Sequence, residues 1–126
     1  MRTAALLIAL VVSLVVAGGA PAAKRLPVPG FPNIPGKWSH AEINVTIART
    51  PHTLILDRGH IKQVTRTMLR VLEGDGNVVS IPVSSTTKVE VDGSRGRVGW
   101  LNTSMDVETL RIDGGTALRI RATSTG

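Results

Sequence analysis

The sequence predicts an all-β protein, a barrel or a sandwich of seven or eight short strands. Three observations lead to this prediction. Apolar residues recur at every second position over much of the chain, as in half-buried strands. Gly, Asp, Asn and Pro separate these alternating stretches. No stretch after residue 37 has the apolar spacing of an amphipathic helix.

The predicted strands all lie between residues 38 and 122, which we interpret as the folded domain. In chain order their apolar positions are Ile43, Val45 and Ile47; Leu54 and Leu56; Ile61 and Val64; Leu69 and Val71; Val79, Ile81 and Val83; Val89 and Val91; Leu110 and Ile112; Leu118 and Ile120. A turn is expected at Arg49-Thr50-Pro51. Residues 98–105 fit the alternation poorly and are expected to form a helical turn or a corner. Trp38 and Trp100 are expected to close the ends of a barrel.

The first glycine-rich loop, residues 74–76, is best explained as a hairpin. A loop of three residues sets Val71 opposite Val79 and Leu69 opposite Ile81, which places four aliphatic side chains on one face. Glycine supplies the left-handed position that such a loop requires. Glu73, Asp75 and Asn77 alternate as in a calcium loop, but the rest of that pattern is missing. The stretch therefore predicts chain reversal and no ion site.

The second glycine-rich loop, residues 113–115, gives a similar prediction. A three-residue loop sets Leu110 opposite Leu118. This register leaves Val107 on the outer face, so a bulge is expected nearby.

The N-terminus has the order of a secretory signal peptide. Arg2 precedes an apolar run from Ala4 to Ala17, and small residues follow. We predict a signal peptide at residues 1–22, with cleavage before Ala23. The alternative is an uncleaved single-pass membrane anchor, because the uncharged stretch of about 20 residues is long enough to span a bilayer. The chain has no Cys, which excludes disulfides and a lipoprotein anchor.

A proline-rich linker is predicted at residues 23–37. It holds four of the seven prolines, which favour extended polyproline II over helix or sheet. The segment is either a flexible mature N-terminus or a spacer that holds the domain away from a membrane. At the other end, residues 123–126 are expected to form a disordered tail.

The chain is basic, with a formal net charge of +6. Such a charge favours anionic polymers or lipid surfaces as an envelope or extracellular partner. Nucleic acid is not expected as a partner, because two Trp and one Phe offer few platforms for base stacking. Membrane contact is expected only if the signal segment remains uncleaved.

No catalytic, cofactor-binding or metal-binding residues are predicted. His40-Ala41-Glu42 matches half of a zinc deaminase signature, but the cysteines of the other half are absent. His40 and His60 are expected near each other but on opposite faces, with His52 far from both, so a three-histidine metal site is not expected.

Several segments resemble a group of small bacterial exported proteins that are known only as a domain of unknown function. The similar segments are GHIKQV, MLRVLEGDGNVVSIPV, TTKVEVDG, LNTSMDVET and GTALRIRA, within residues 59–122. The resemblance implies a small β-barrel of the OB-like kind, closed or partly open, with about 6–8 short antiparallel strands. It implies no activity. The chain departs from the pattern at Ser104, where that group usually has glycine.

These observations predict an exported, non-catalytic β-barrel module of the cell envelope that binds or spaces a partner. The alternative is a small envelope hydrolase or metal-dependent enzyme with a site assembled across strands. That alternative requires a convergent cluster of histidine and carboxylate side chains in the folded protein.

Overall fold

The computed structural model describes residues 28–126, and the predicted signal segment lies outside them. The described chain is all-β, as predicted. Its strands are β1 His40–Ile47, β2 Thr50–Val64, β3 Met68–Glu73, β4 Val78–Pro82, β5 Lys88–Val91, β6 Ser94–Gly96, β7 Met105–Ile112 and β8 Arg119–Ser124. A single 3₁₀ turn, Val98–Trp100, occupies the stretch where a helical turn or corner was expected. Residues 28–126 contain no helix with the length and apolarity needed to cross a membrane.

The eight strands form one open sheet and not a closed barrel. Their order is β4-β3-β2-β7-β8-β5-β6, and β1 pairs with β2 beside this path. The edge strands are poorly suited to pair with each other: β6 has three residues, and Pro82 of β4 has no amide hydrogen to donate. The expectation of antiparallel strands fails at one pair, since β5 and β8 run parallel.

The 15-residue strand β2 organises the sheet. One of its edges is shared by two strands placed end to end: β1 pairs with residues 50–57 and β3 with residues 59–64. The other edge pairs with β7 over residues 54–60. The start of β1 and the end of β3 therefore meet beside the middle of β2.

The predicted register of the first hairpin is confirmed. Leu69 pairs with Ile81 and Val71 with Val79, and residues 74–76 form the loop. Gly76 has a φ of 92°, the left-handed position that the loop requires.

The turn between β1 and β2 lies one residue earlier than expected. Ala48 and Arg49 form it with φ values of 49° and 68°, while Thr50 and Pro51 already belong to β2. Two left-handed residues match the twist of a two-residue hairpin, which favours this position.

The predicted register of the second hairpin is wrong by one residue. Leu110 pairs with Arg119, not with Leu118, because the connection extends over residues 113–118. The Ala117 amide in this connection donates to the Pro82 carbonyl at 2.8 Å, so the loop is held by β4. Val107 is consequently buried on the inner face, and Leu110 faces the other side.

Two apolar clusters lie on opposite faces of the sheet. The larger one gathers side chains from both halves of the curled sheet, namely Ile61, Leu69, Val71, Ile81, Val83, Val89, Leu101, Met105, Val107, Ala117, Ile120 and Ala122. The smaller one consists of Leu54, Leu56 and Leu110. We call these the inner core and the outer cluster.

Residues that precede the sheet cover the outer cluster. Phe31, Ile34 and Trp38 pack against it, so part of the predicted linker lies on the domain. Trp100 is 49% exposed and does not close an end of the structure, contrary to expectation. At the C-terminus, β8 continues to Ser124, which donates two hydrogen bonds to Asp92, so the predicted tail is partly ordered.

Candidate functional site

A polar cluster lies where β1 and β3 meet beside β2. His40 opens β1 and pairs with Asp57 of β2, and Glu73 ends β3 and pairs with Gly59. Residues 57 and 59 point to the same face of β2 because side chains alternate along a strand. The three side chains therefore converge, and one potential ligand atom from each lies within 4.8 Å of the others.

Asp57 is the centre of this cluster. Its Oδ1 lies 2.7 Å from His40 Nδ1, and its Oδ2 accepts a hydrogen bond from Arg111 Nη2 at 3.2 Å. The other imidazole nitrogen, Nε2, lies 3.2 Å from Glu42 Oε1. Asp57 thus holds the ring of His40 in one orientation, and Arg111 holds Asp57.

Burial in the cluster increases from its mouth to its floor. The His40 side chain is 43% exposed, whereas Glu73 is 7% and Asp57 1% exposed. Three buried polar atoms here lack hydrogen-bond partners among residues 28–126: Glu73 Oε2, Thr109 Oγ1 and Arg111 Nε. Unpaired buried polar groups are rare in proteins, so this floor is an unusual feature.

Two groups in the cluster, Glu73 and His40, have raised pKa values. Burial raises the pKa of Glu73 to about 7, and the neighbouring Asp57 carboxylate, which can share its proton, adds to the shift. The hydrogen bond that His40 donates to Asp57 raises the pKa of His40 against the opposing effect of burial. A carboxyl group that titrates near neutrality beside a histidine can donate or accept a proton, and the same three groups offer one nitrogen and two oxygen ligands.

The sequence analysis did not predict this cluster, although it considered His40 and Glu73 separately. We expected His40 near His60, but the register places it opposite Asp57. The prediction that His40 and His60 face opposite sides is confirmed, because His60 lies three positions beyond Asp57 on β2. One signal in the sequence could have indicated the cluster: an ionisable residue, His40, Asp57 or Glu73, occupies an inward position on each of three strands. Their convergence depends on β1 and β3 sharing one edge of β2.

Each of the other two histidines contacts a carboxylate of a neighbouring element. His52 Nδ1 lies 2.6 Å from Asp113 Oδ2, and His60 Nδ1 lies 3.0 Å from Asp106 Oδ1. The interaction with His52 lowers the pKa of Asp113. In the 74–76 loop, the Asp75 carboxylate accepts hydrogen bonds from the Asn77 backbone and side chain, as expected of a turn.

A second feature is a basic groove of about 740 Å³ on the outer face of β5, β6 and β8. Of residues 28–126, four cations and one carboxylate, Glu90, line it; the cations are Lys88, Arg95, Arg119 and Arg121. The parallel pairing sets Lys88 beside Arg119 and Glu90 beside Arg121. The side chains of these two pairs therefore lie on the same outward face of the sheet.

The cations of this groove differ in how they are held. Arg119 Nε donates to the Pro29 carbonyl at 2.7 Å, and Arg121 binds Glu108 and stacks on Phe31, with 4.6 Å between guanidinium carbon and ring centre. Burial opposes ionisation of Glu108, but Arg121 and Arg58 together lower its pKa. No ion pair of Lys88 or Arg95 occurs within residues 28–126. Residues 92–97, DGSRGR, form the turn and the second strand of the β5–β6 hairpin and place Arg95 in the groove.

The chain was compared with protein-family models, curated proteins and solved structures, and none of these comparisons found a match.

Proposed function

We propose that this protein is an exported, non-catalytic binding module of the cell envelope, and that its partner is an anionic wall polymer. The observation that supports this proposal is the basic groove. Among residues 28–126, four cations line it against one carboxylate, and two of them, Lys88 and Arg95, are exposed and form no ion pair. Opposite charge attracts a polyanion to such a surface and raises its local concentration.

The shape and composition of the groove favour a polymer over other anions. A concave surface about 740 Å³ in volume suits a chain that carries repeated phosphate or carboxylate groups, whereas a bilayer presents a flat surface. Single-stranded nucleic acid needs aromatic rings on which bases stack. Within the part of the chain that the structure describes, the only aromatic side chain that lines the groove is Phe31, and Arg121 covers it.

Export is the second part of the proposal, and it rests on residues 1–22. Their order of one charge, an apolar run and small residues favours a cleaved signal peptide. The mature chain is expected to begin at Ala23. Fractionation of the producing cells shows where the protein resides, and N-terminal sequencing of the product identifies its first residue. A product that starts at Met1 and stays with the membrane fraction would support the anchor instead.

Binding is tested with immobilised polyphosphate and polygalacturonate, which represent phosphate and carboxylate polymers. We expect the protein to bind at low salt and to be released as salt screens the charges. The double variant K88E/R95E is expected to weaken binding by about tenfold or more, because each cation near a polyanionic surface contributes about 1 kcal/mol.

The matched control is K62E/R66E, which changes the net charge equally through exposed residues outside the groove. This control is expected to retain most of the binding. Equal losses in the two variants would show attraction to net charge alone and refute a groove. Tighter binding to vesicles of anionic lipid than to either polymer would refute the choice of a polymer.

A second candidate function is a small metal-dependent hydrolase. The observation that favours it is the His40–Asp57–Glu73 cluster, the convergent set that this alternative requires. A zinc-supplemented assay with activated phosphate and carboxylate esters tests it. Hydrolysis that disappears in His40→Ala and persists in His60→Ala would support catalysis at the cluster, whereas equal rates in both variants would dispose of this candidate.

A further inference from the structure

The cluster of His40, Asp57 and Glu73 has the ligand set of a metal site. One atom from each side chain lies within 4.8 Å of the others, on the inner face of three neighbouring strands. We propose that these three residues bind a divalent transition-metal cation of the Zn²⁺ class. This inference goes beyond the proposed polymer binding and does not depend on it.

The donor atoms suit such an ion. An imidazole nitrogen and two carboxylate oxygens are ordinary zinc ligands, each about 2 Å from the ion. Tetrahedral ligands about 2 Å from an ion lie about 3.3 Å from each other, so the Glu73 oxygen must move inward while His40 Nδ1 and Asp57 Oδ1 move slightly apart. The ion replaces the proton that joins His40 Nδ1 to Asp57 Oδ1, which lie 2.7 Å apart. Three protein ligands leave a fourth position for water, as in zinc sites that remain open.

The burial of Glu73 and its unpartnered carboxylate oxygen are a second, independent observation that points to a bound cation. Its side chain is more than nine-tenths buried, and Oε2 has no hydrogen-bond partner among residues 28–126. A buried carboxylate oxygen without a partner costs free energy, and coordination of a cation removes that cost.

The residues around the three ligands support the assignment. Arg111 donates to Asp57 Oδ2 and leaves Oδ1 directed at His40, so it orients a ligand in the manner of an outer-shell partner. When both carboxylates are deprotonated, as metal ligands must be, one guanidinium leaves a net negative charge at the floor of the cluster. His40 is 43% exposed, and Glu42 lies beside it, so a cation reaches the cluster past an acidic side chain.

The alternative occupant of the cluster is a proton shared between Glu73 and Asp57. The two occupants exclude each other, since a ligand carboxylate must be deprotonated. Metal uptake therefore releases protons, whereas a cluster that serves only to share a proton takes up no metal.

Calorimetric titration of the purified full-length protein with Zn²⁺, after treatment with a chelator, tests the proposal. One ion per chain is expected to bind, and the measured heat should vary with the ionisation enthalpy of the buffer because binding releases protons. His40→Ala and Glu73→Gln each remove a ligand and are expected to weaken binding by about tenfold or more. Co²⁺ provides a second readout, since it should absorb visible light at the site in wild type but not in Glu73→Gln.

The matched control is His60→Ala, which removes a histidine from the opposite face that also contacts a carboxylate. It is expected to bind Zn²⁺ like wild type. Wild-type protein that takes up no Zn²⁺, or equal losses in His40→Ala and His60→Ala, would overturn the proposal. Melting curves of the metal-free variants show whether each variant is folded. One equivalent of Zn²⁺ should then raise the melting temperature of wild type and not that of Glu73→Gln.

Discussion

At the scale of single residues, Glu73 shows how a position in the sheet changes the chemistry of a side chain. In the sequence it precedes a glycine-rich turn and resembles a solvated turn residue. In the structure it ends β3 on the inward face and is 7% exposed. Burial raises its pKa to about 7, so it keeps its proton under conditions in which an exposed Glu has lost it.

This shift predicts that metal-free protein loses stability as pH rises from 5 to 8. Between about 4.5 and 7 the unfolded chain releases the Glu73 proton while the folded chain retains it, so folding becomes less favourable with rising pH. The raised pKa of His40 acts in the same direction, since its contribution is present below pH 6.5 and is lost as pH rises through the folded-state value. Glu73→Gln stays neutral and is expected to reduce the decline by about 1 to 3 kcal/mol.

Urea denaturation at several pH values in the presence of chelator measures this effect. Glu90→Gln, at an exposed position outside the cluster, is the control and should decline like wild type. A Glu73→Gln protein with the full wild-type decline would contradict the assigned titration.

Gly59 is the second residue whose identity the structure explains. It pairs with Glu73 at the point where β3 replaces β1 along β2. A Cβ at this position would lie 2.2 Å from the Leu72 carbonyl oxygen and 2.8 Å from a Val71 methyl carbon. Only glycine allows the strands to approach so closely, and this approach brings Glu73 beside Asp57.

Gly59→Ala is therefore expected to lower the free energy of unfolding by about 1 to 3 kcal/mol or more, because backbone atoms must move. Chemical denaturation measures the loss. Gly99→Ala, where a Cβ meets no atom within 4 Å, is the control and should be close to neutral. Equal stability of the two variants would contradict the close approach.

At the scale of elements, the two glycine-rich hairpins explain where register prediction works. The loop 74–76 is closed by its own strands, and the alternation of Leu69, Val71, Val79 and Ile81 defines its register. The connection 113–118 is held by contacts outside its hairpin: the Asp113 amide donates to the Thr53 carbonyl, and the Ala117 amide to that of Pro82. Local alternation cannot account for such long-range contacts, so the second register was wrong by one residue.

The first hairpin gives a prediction for β4. Ile81 is fully buried in the inner core, so Ile81→Asp places a charge there and is expected to abolish cooperative folding. Ser80→Asp is the matched control, because Ser80 is exposed on the other face and pairs with Arg70, which favours a negative charge. Circular dichroism melts compare the two. A cooperative transition near that of wild type in Ile81→Asp would refute the face assignment.

At the scale of the whole molecule, the sheet buries both of its faces by different means. It curls so that β3 and β4 meet β5 and β8 around the inner core, although the edge strands form no ladder with each other. Its other face is covered in part by Phe31, Ile34 and Trp38, which precede the first strand. The proline-rich segment thus contributes to the domain that it was expected only to precede.

This arrangement predicts that the segment before β1 stabilises the fold. The double variant F31S/I34S is expected to lower the free energy of unfolding by about 1 to 3 kcal/mol, because two half-buried apolar side chains lose their contacts with the outer cluster. Asn33→Ser, between them and exposed, should have little effect. Chemical denaturation of the three proteins compares them, and an F31S/I34S protein as stable as wild type would show that this packing contributes nothing.

The sequence alone determined the all-β class, most strand positions and the register of the first hairpin, because alternation and glycine turns act over a few neighbouring residues. Tertiary structure alone decided that the sheet stays open, that β5 and β8 run parallel, and that β1 and β3 share one edge of β2. The meeting of His40, Asp57 and Glu73 follows from that last pairing. It joins residues up to 33 positions apart. Such a contact depends on which strands pair, and local sequence patterns do not specify that pairing.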